Sequence, residues 1–139
     1  MTVEFFDSDE EMQAALAANR EAASAQVRPW QRAVKPGDFY VHYNAEYELF
    51  VFGEILDPVA LCEPDEVEYL TKTYAQPHMA DFRFARAHSP MCEEGELGDI
   101  HVLTIGAVIS KDLFEQYRAL DWPQDPAIVI PMYESHGRL

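Results

Sequence analysis

The chain reads as an α+β domain in which a curled, mostly antiparallel sheet, an SH3-like or roll-type barrel, is flanked by about three helices. Three observations predict this. Stretches of period-two and of period-3.6 apolar residues follow one another in the order helix, two strands, helix, two strands, helix, strand. Turn signatures stand before the first strand-like run, at Lys35-Pro36-Gly37-Asp38, and between the first two such runs, at Asn44-Ala45-Glu46. Finally, 139 residues carry 48% hydrophobic and 12% aromatic side chains. A chain of this mass buries about two thirds of its unfolded surface, enough for one self-sufficient core. Residues 1–139 are therefore taken as a single domain with no linker or repeat.

The first helix is predicted over 9–26. Ser8 and Glu11 stand in capping-box spacing, where the hydroxyl and the carboxylate each satisfy a free amide of the first turn. Its apolar stripe of Met12, Ala15, Leu16, Ala22 and Ala23 is thin, so it is either peripheral or packed closely on a partner subunit. After the Pro36-Gly37 turn, residues 39–43 and 47–56 form a β-hairpin rich in aromatic and β-branched residues. Gly53 inside the second strand marks a bulge or bend that would let the ribbon curl.

A second helix opens at Glu63-Pro64-Asp65-Glu66, with proline in the first turn and acids at the positive dipole end. Val67, Leu70 and Tyr74 share one of its faces, and it ends before Pro77. Residues 82–88 alternate as a strand, 89–99 form an acidic loop, and 100–109 read as the most buried, central strand. Ser110 caps a third helix with Leu113, Phe114, Tyr117 and Leu120 on its apolar face. Residues 127–130, bracketed by Pro126 and Pro131, are expected as a short edge strand, and 133–139 as a frayed tail.

Charge narrows the function. With 25 acidic against 10 basic side chains the net charge is −15, so direct binding to nucleic acid or to an anionic membrane is not expected. No basic leader or continuous apolar segment indicates export through a signal peptide or a membrane span. Cys62 and Cys92 lack CxxC spacing and are read as reduced thiols, although a single disulfide between them stays open. Eight acids and no base lie between residues 44 and 70, and four more acids between 92 and 100, which predicts two acidic faces.

Motifs for chemistry are sparse. The loop 93–99 places Glu93, Glu94, Glu96 and Asp99 around two glycines, where a hard cation is conceivable but EF-hand spacing is absent. His88, Cys92 and His101 would make a zinc site only if the loop returned one strand beside the other. No nucleophile elbow, phosphate-binding glycine loop or activated cysteine is visible, so no cofactor, metal or catalytic residue is assigned and the chain is not expected to be an enzyme. The aromatic and basic residues Arg28, Trp30, Arg32, Tyr40, Tyr43, Tyr47 and Phe50 exceed what one face of a ribbon hides. They are the candidate protein-contact patch.

The stretches Gly37-Asp38-Phe39-Tyr40-Val41, Gly53-Glu54-Ile55-Leu56 and Ser89-Pro90-Met91-Cys92-Glu93-Glu94-Gly95-Glu96-Leu97-Gly98-Asp99-Ile100-His101-Val102 resemble small proteins of tailed bacteriophages over about half of the chain. The resemblance implies a phage origin and transfers no functional residue. With it, the expected role is that of a non-enzymatic virion component, such as a capsid decoration, cement or head-tail joining protein. Such a component would self-associate and bind other phage structural proteins, in the virion or the host cytoplasm. The alternatives are an acidic anti-defence inhibitor that imitates DNA and binds a host protein, and a small metal-dependent enzyme built on the loop from Cys92 to His101.

Overall fold

A computed structural model describes residues 9–61, 63–74, 80–91 and 95–137. Helix α1 (Asp9–Ala25) leads into a four-residue helix α2 (Pro29–Arg32), then into strands β1 (Phe39–Asn44) and β2 (Leu49–Ile55). Two further helices, α3 (Pro58–Leu61) and α4 (Pro64–Tyr74), precede β3 (Phe82–His88) and β4 (Glu96–His101). A 3₁₀ turn at Val102–Thr104 separates β4 from β5 (Ile105–Ile109), after which come α5 (Lys111–Ala119), α6 (Pro126–Met132) and a π turn at Tyr133–Gly137. The five strands form one antiparallel sheet in the order β4-β3-β2-β1-β5. The fold is α+β as expected, but the sheet is open, with β4 and β5 at its two edges, and no barrel closes.

Strand alternation divides the core in two. On one face Val41, Phe50, Phe52, Ala107 and Ile109 meet Leu113, Phe114 and Tyr117 of α5 and Val129 of α6. On the other, Tyr40, Ile55, Ala85, Ile100 and Ile105 pack with Val27, Val34 and Val102. Ser110 caps α5 as predicted, its hydroxyl accepting from the Leu113 amide at 3.1 Å. The turn before β1 is also as predicted: Gly37 has φ +95° and its amide donates to the Ile55 carbonyl at 2.9 Å.

Four local expectations are corrected. Residues 96–99 belong to β4, because they pair with β3 (Ala87↔Glu96, Ala85↔Gly98), so the acidic loop is shorter than predicted. The apolar run 100–109 is not one central strand. It breaks at 102–104, where the Val102 amide donates to the Asp81 carbonyl and the side-chain Nε2 of buried Gln31 donates to the carbonyls of Leu103 and Ile105. Gly53 sits in continuous register with Tyr40 and Ala87, and the irregularity lies instead between Val41 and His42 against β5. Residues 127–130 are helical, because the Asp125 carboxylate accepts from the Ala127 amide and Pro126 starts the helix, where a missing N–H costs nothing. Ser8 of the predicted capping box lies outside the described residues.

Candidate functional site

Two exposed aromatic residues lie together at one end of the β1–β2 hairpin. Asn44 and Leu49 form its last pair, and the Asn44 side-chain oxygen accepts from the amides of Glu46 and Tyr47 at 3.0 and 3.2 Å. Glu48 adopts φ 53°, closing a four-residue turn. Tyr43 is 50% exposed and Tyr47 57%, with Glu46 and Glu48 exposed beside them. The Tyr43 ring leans on buried Phe50, centroids 5.1 Å apart.

Phe50 is itself held from a distant segment. β3 pairs with β2 only from Phe52 onward, and the Gln124 side-chain amide takes the place of a strand beside Phe50. Its oxygen accepts from the Phe50 amide at 2.6 Å, and its nitrogen donates to the carbonyls of Phe50 and Trp122 at 3.0 and 3.1 Å. Trp122 is the anchor of that segment. His88 lies nearly flat on its indole at 4.7 Å and 20°, Phe52 and Phe114 pack around it, and the Arg118 guanidinium stands over both Phe114 and Trp122. Asp121 and Trp122 both have positive φ (57° and 56°), a conformation stabilised here by the Trp122 amide donating to the Tyr117 carbonyl. Nothing in the local Asp-Trp-Pro sequence signals this bracket, because its partners come from β2, β3 and α5.

The other contact candidates fall elsewhere. Arg28 is exposed, and Trp30 is half-buried against the core on the opposite face of the sheet. Arg32 donates to the Asp81 carboxylate at 2.7 Å, and the Ser24 hydroxyl donates to the same carboxylate, tying α1 and α2 to the start of β3. Tyr40 (1% exposed) and Phe50 (6%) are interior residues with almost no surface to offer a partner. Of the predicted set, Tyr43 and Tyr47 are therefore the two that share one exposed site.

The described members of the candidate cation ligands lie apart. His101 pairs with Phe82 at the far end of β3 from His88. Six residues of strand correspond to about 20 Å. The His101 Nδ1 accepts from the Leu103 amide at 3.0 Å and so caps the 3₁₀ turn. Glu96 and Asp99 pair with Ala87 and Phe84, which alternate, so their side chains leave opposite faces of the sheet. Cys62, Cys92, Glu93 and Glu94 lie outside the described residues. Among the described residues no group of three or more His, Cys, Asp or Glu side chains is placed to hold a metal ion, and no helix is long and apolar enough to cross a membrane.

Family models, curated proteins and solved structures give no match to this chain.

Three histidines titrate below their usual range, and burial is the first cause in each. For His42 it is the only one, and its buried Nδ1 meets no partner. His88 is lowered further by Arg118 and Arg86; for His101, Asp81 opposes the shift and Arg32 adds to it. A folded state that disfavours the imidazolium is fully stable above the ordinary value of 6.5 and loses this contribution as pH falls below it, where the unfolded chain takes up the proton first. Replacing His42 by phenylalanine is therefore expected to flatten the loss of stability between about pH 7 and about pH 5. Thermal unfolding of both proteins across that window checks it, and parallel profiles would refute the assignment.

Proposed function

We propose that this protein is a non-enzymatic component of a tailed-bacteriophage particle, a capsid decoration, cement or head-tail joining protein, which binds its neighbours through the tyrosine-bearing end of the β1–β2 hairpin. The observation that carries this reading is the pair Tyr43 and Tyr47, half exposed on a turn whose base is clamped by Phe50 and Gln124. Tyrosine supplies a large amphipathic contact area at low entropic cost, and a pre-organised support reduces what binding must spend on ordering. The rim carboxylates Glu46 and Glu48 select and steer a basic partner surface.

Two measurements test it. Mass spectrometry of purified particles should find the chain in many copies, and its absence would sink the virion reading. Tyr43→Ser together with Tyr47→Ser should weaken incorporation about tenfold or more, as expected for hot-spot aromatics, while stability changes by only about 1 kcal/mol. Unchanged incorporation would remove the hairpin from the interface.

A second reading, an acidic inhibitor that imitates DNA, draws support from the exposed carboxylates Asp57, Glu63, Asp65, Glu66 and Glu68 along α3 and α4. Glu68 is paired with Lys72 at 2.8 Å. The acid-only stretch is nevertheless divided, since β2 separates Glu46 and Glu48 from this group by about 20 Å of strand. Competition with DNA for a host nuclease, lost as salt rises, would favour the inhibitor.

A further inference from the structure

The two edges of the sheet differ. β5 alternates buried and accessible residues along its length and contributes Ala107 and Ile109 to the core. β4, by contrast, exposes four consecutive residues, Glu96, Leu97, Gly98 and Asp99, and among the described residues it pairs with β3 alone. Alternate residues of such a strand direct their amides and carbonyls outward, where a further strand can meet them. Beside this edge lies a recess of about 130 Å³, lined by Tyr40, Ala85, Ala87 and residues 96–99. The positions beside Tyr40 at this edge are small: Ala85, Ala87 and Gly98 lie together on this face, and a Cβ placed on Gly98 would meet no atom within 4 Å.

We propose that β4 is a strand-addition site for an extended basic peptide segment, which pairs with the outer side of β4 and seats an apolar side chain in the recess beside Gly98. The choice of occupant follows from charge. Glu96 and Asp99 project from opposite faces of β4, so a bound strand meets a carboxylate whichever face its cationic residues occupy. A second copy of this chain would instead bring its own acidic β4 against this one, within a molecule of net charge −15, and like charges across paired strands are unfavourable. The same two carboxylates that discourage edge-to-edge self-pairing therefore select a cationic partner. This surface is separate from the tyrosine-bearing hairpin end, and the inference stands whether or not the virion reading does.

The test uses the full chain, labelled with ¹⁵N, and an acetylated, amidated peptide of alternating lysine and valine. Amide shifts are expected to be confined to β4 and to Ala85 and Ala87, with β4 amides gaining protection from exchange. N-methylation of alternate peptide amides should weaken binding about tenfold, because two or three backbone hydrogen bonds are lost. Glu96→Lys with Asp99→Lys should abolish binding of the lysine peptide and admit its glutamate counterpart. Gly98→Val, for which the backbone leaves room, should keep the fold, read from an unchanged amide spectrum away from β4, and weaken the valine peptide by filling the recess. Absence of β4 shifts at millimolar peptide, equal binding of the N-methylated form, or shifts centred on the hairpin end would each overturn the proposal.

Discussion

Replacing Gly53 by alanine is expected to cost about 3 kcal/mol, and by valine more. A Cβ built on Gly53 falls 2.1 Å from Tyr40 Cζ and 2.2 Å from its hydroxyl oxygen, so the tyrosine ring occupies the space a side chain would need. Tyr40 is 1% exposed and packs with Val27, Val34, Ile55 and Ile105, so its ring cannot swing aside without disturbing that whole side of the core. The two residues face each other across the register of β1 and β2. A tyrosine lying over a glycine in this way covers a backbone that would otherwise be bare. Urea denaturation should show a lower midpoint with an unchanged slope. In a Tyr40→Ala background the same alanine should cost far less, because the clash has gone, and that coupling is the diagnostic quantity. A loss below about 0.5 kcal/mol for Gly53→Ala alone would show that the ring yields readily.

Phe52→Ala should be comparably damaging, at about 4 kcal/mol and roughly 10–15 °C in melting temperature. Phe52 is fully buried, its ring 4.6 Å from that of Tyr117 and 5.5 Å from that of Trp122. Truncation leaves a cavity at the point where α5, β2 and the segment carrying Trp122 meet. Tyr117, fully buried and donating to the Val129 carbonyl at 2.7 Å, would lose its main aromatic neighbour on the sheet. The effect should reach the hairpin as well. Trp122 braces Gln124, and Gln124 holds the backbone under Tyr43, so a loosened Trp122 should show as red-shifted tryptophan fluorescence and, under the proposed virion role, as weakened incorporation into particles. Loss of stability without either change would mean that the bracket at 121–124 is held by His88 and Arg118 independently of Phe52.

Elements with a local signature are legible in the sequence without any tertiary contact. The aromatic, β-branched run at Phe39 announces β1, Ser110 announces the start of α5, and proline with two acids announces α4. The segment after residue 88 was not legible in this way. An apolar run of ten residues has the same composition whether it is one central strand or two strands on opposite edges, and the break depends on Asp81 and Gln31, 21 and 74 residues away from the groups they bind. At residues 126–132 the local signal was present, as Asp125 before Pro126, but Ile128, Val129 and Ile130 carry strand propensity that tertiary packing overrode.

The candidate site divides along the same line. That Tyr43 and Tyr47 lie at a chain reversal follows from the order of residues alone, since asparagine caps the turn between two aromatic strands, but the structure places Tyr47 inside the turn and starts the second strand only at Leu49. That Tyr40 and Phe50, of the same chemical type and only a few positions away, are interior depends on which face of the pleat packs against what, and on Gly53 leaving room for one of them. Composition and periodicity determined an acidic α+β chain with an aromatic hairpin. The tertiary structure decided that the sheet stays open, that among the described residues its acidic strand β4 pairs on one side only, and that Gln124 and Trp122 brace the hairpin, because each of these depends on partners brought together across the chain by burial rather than by spacing.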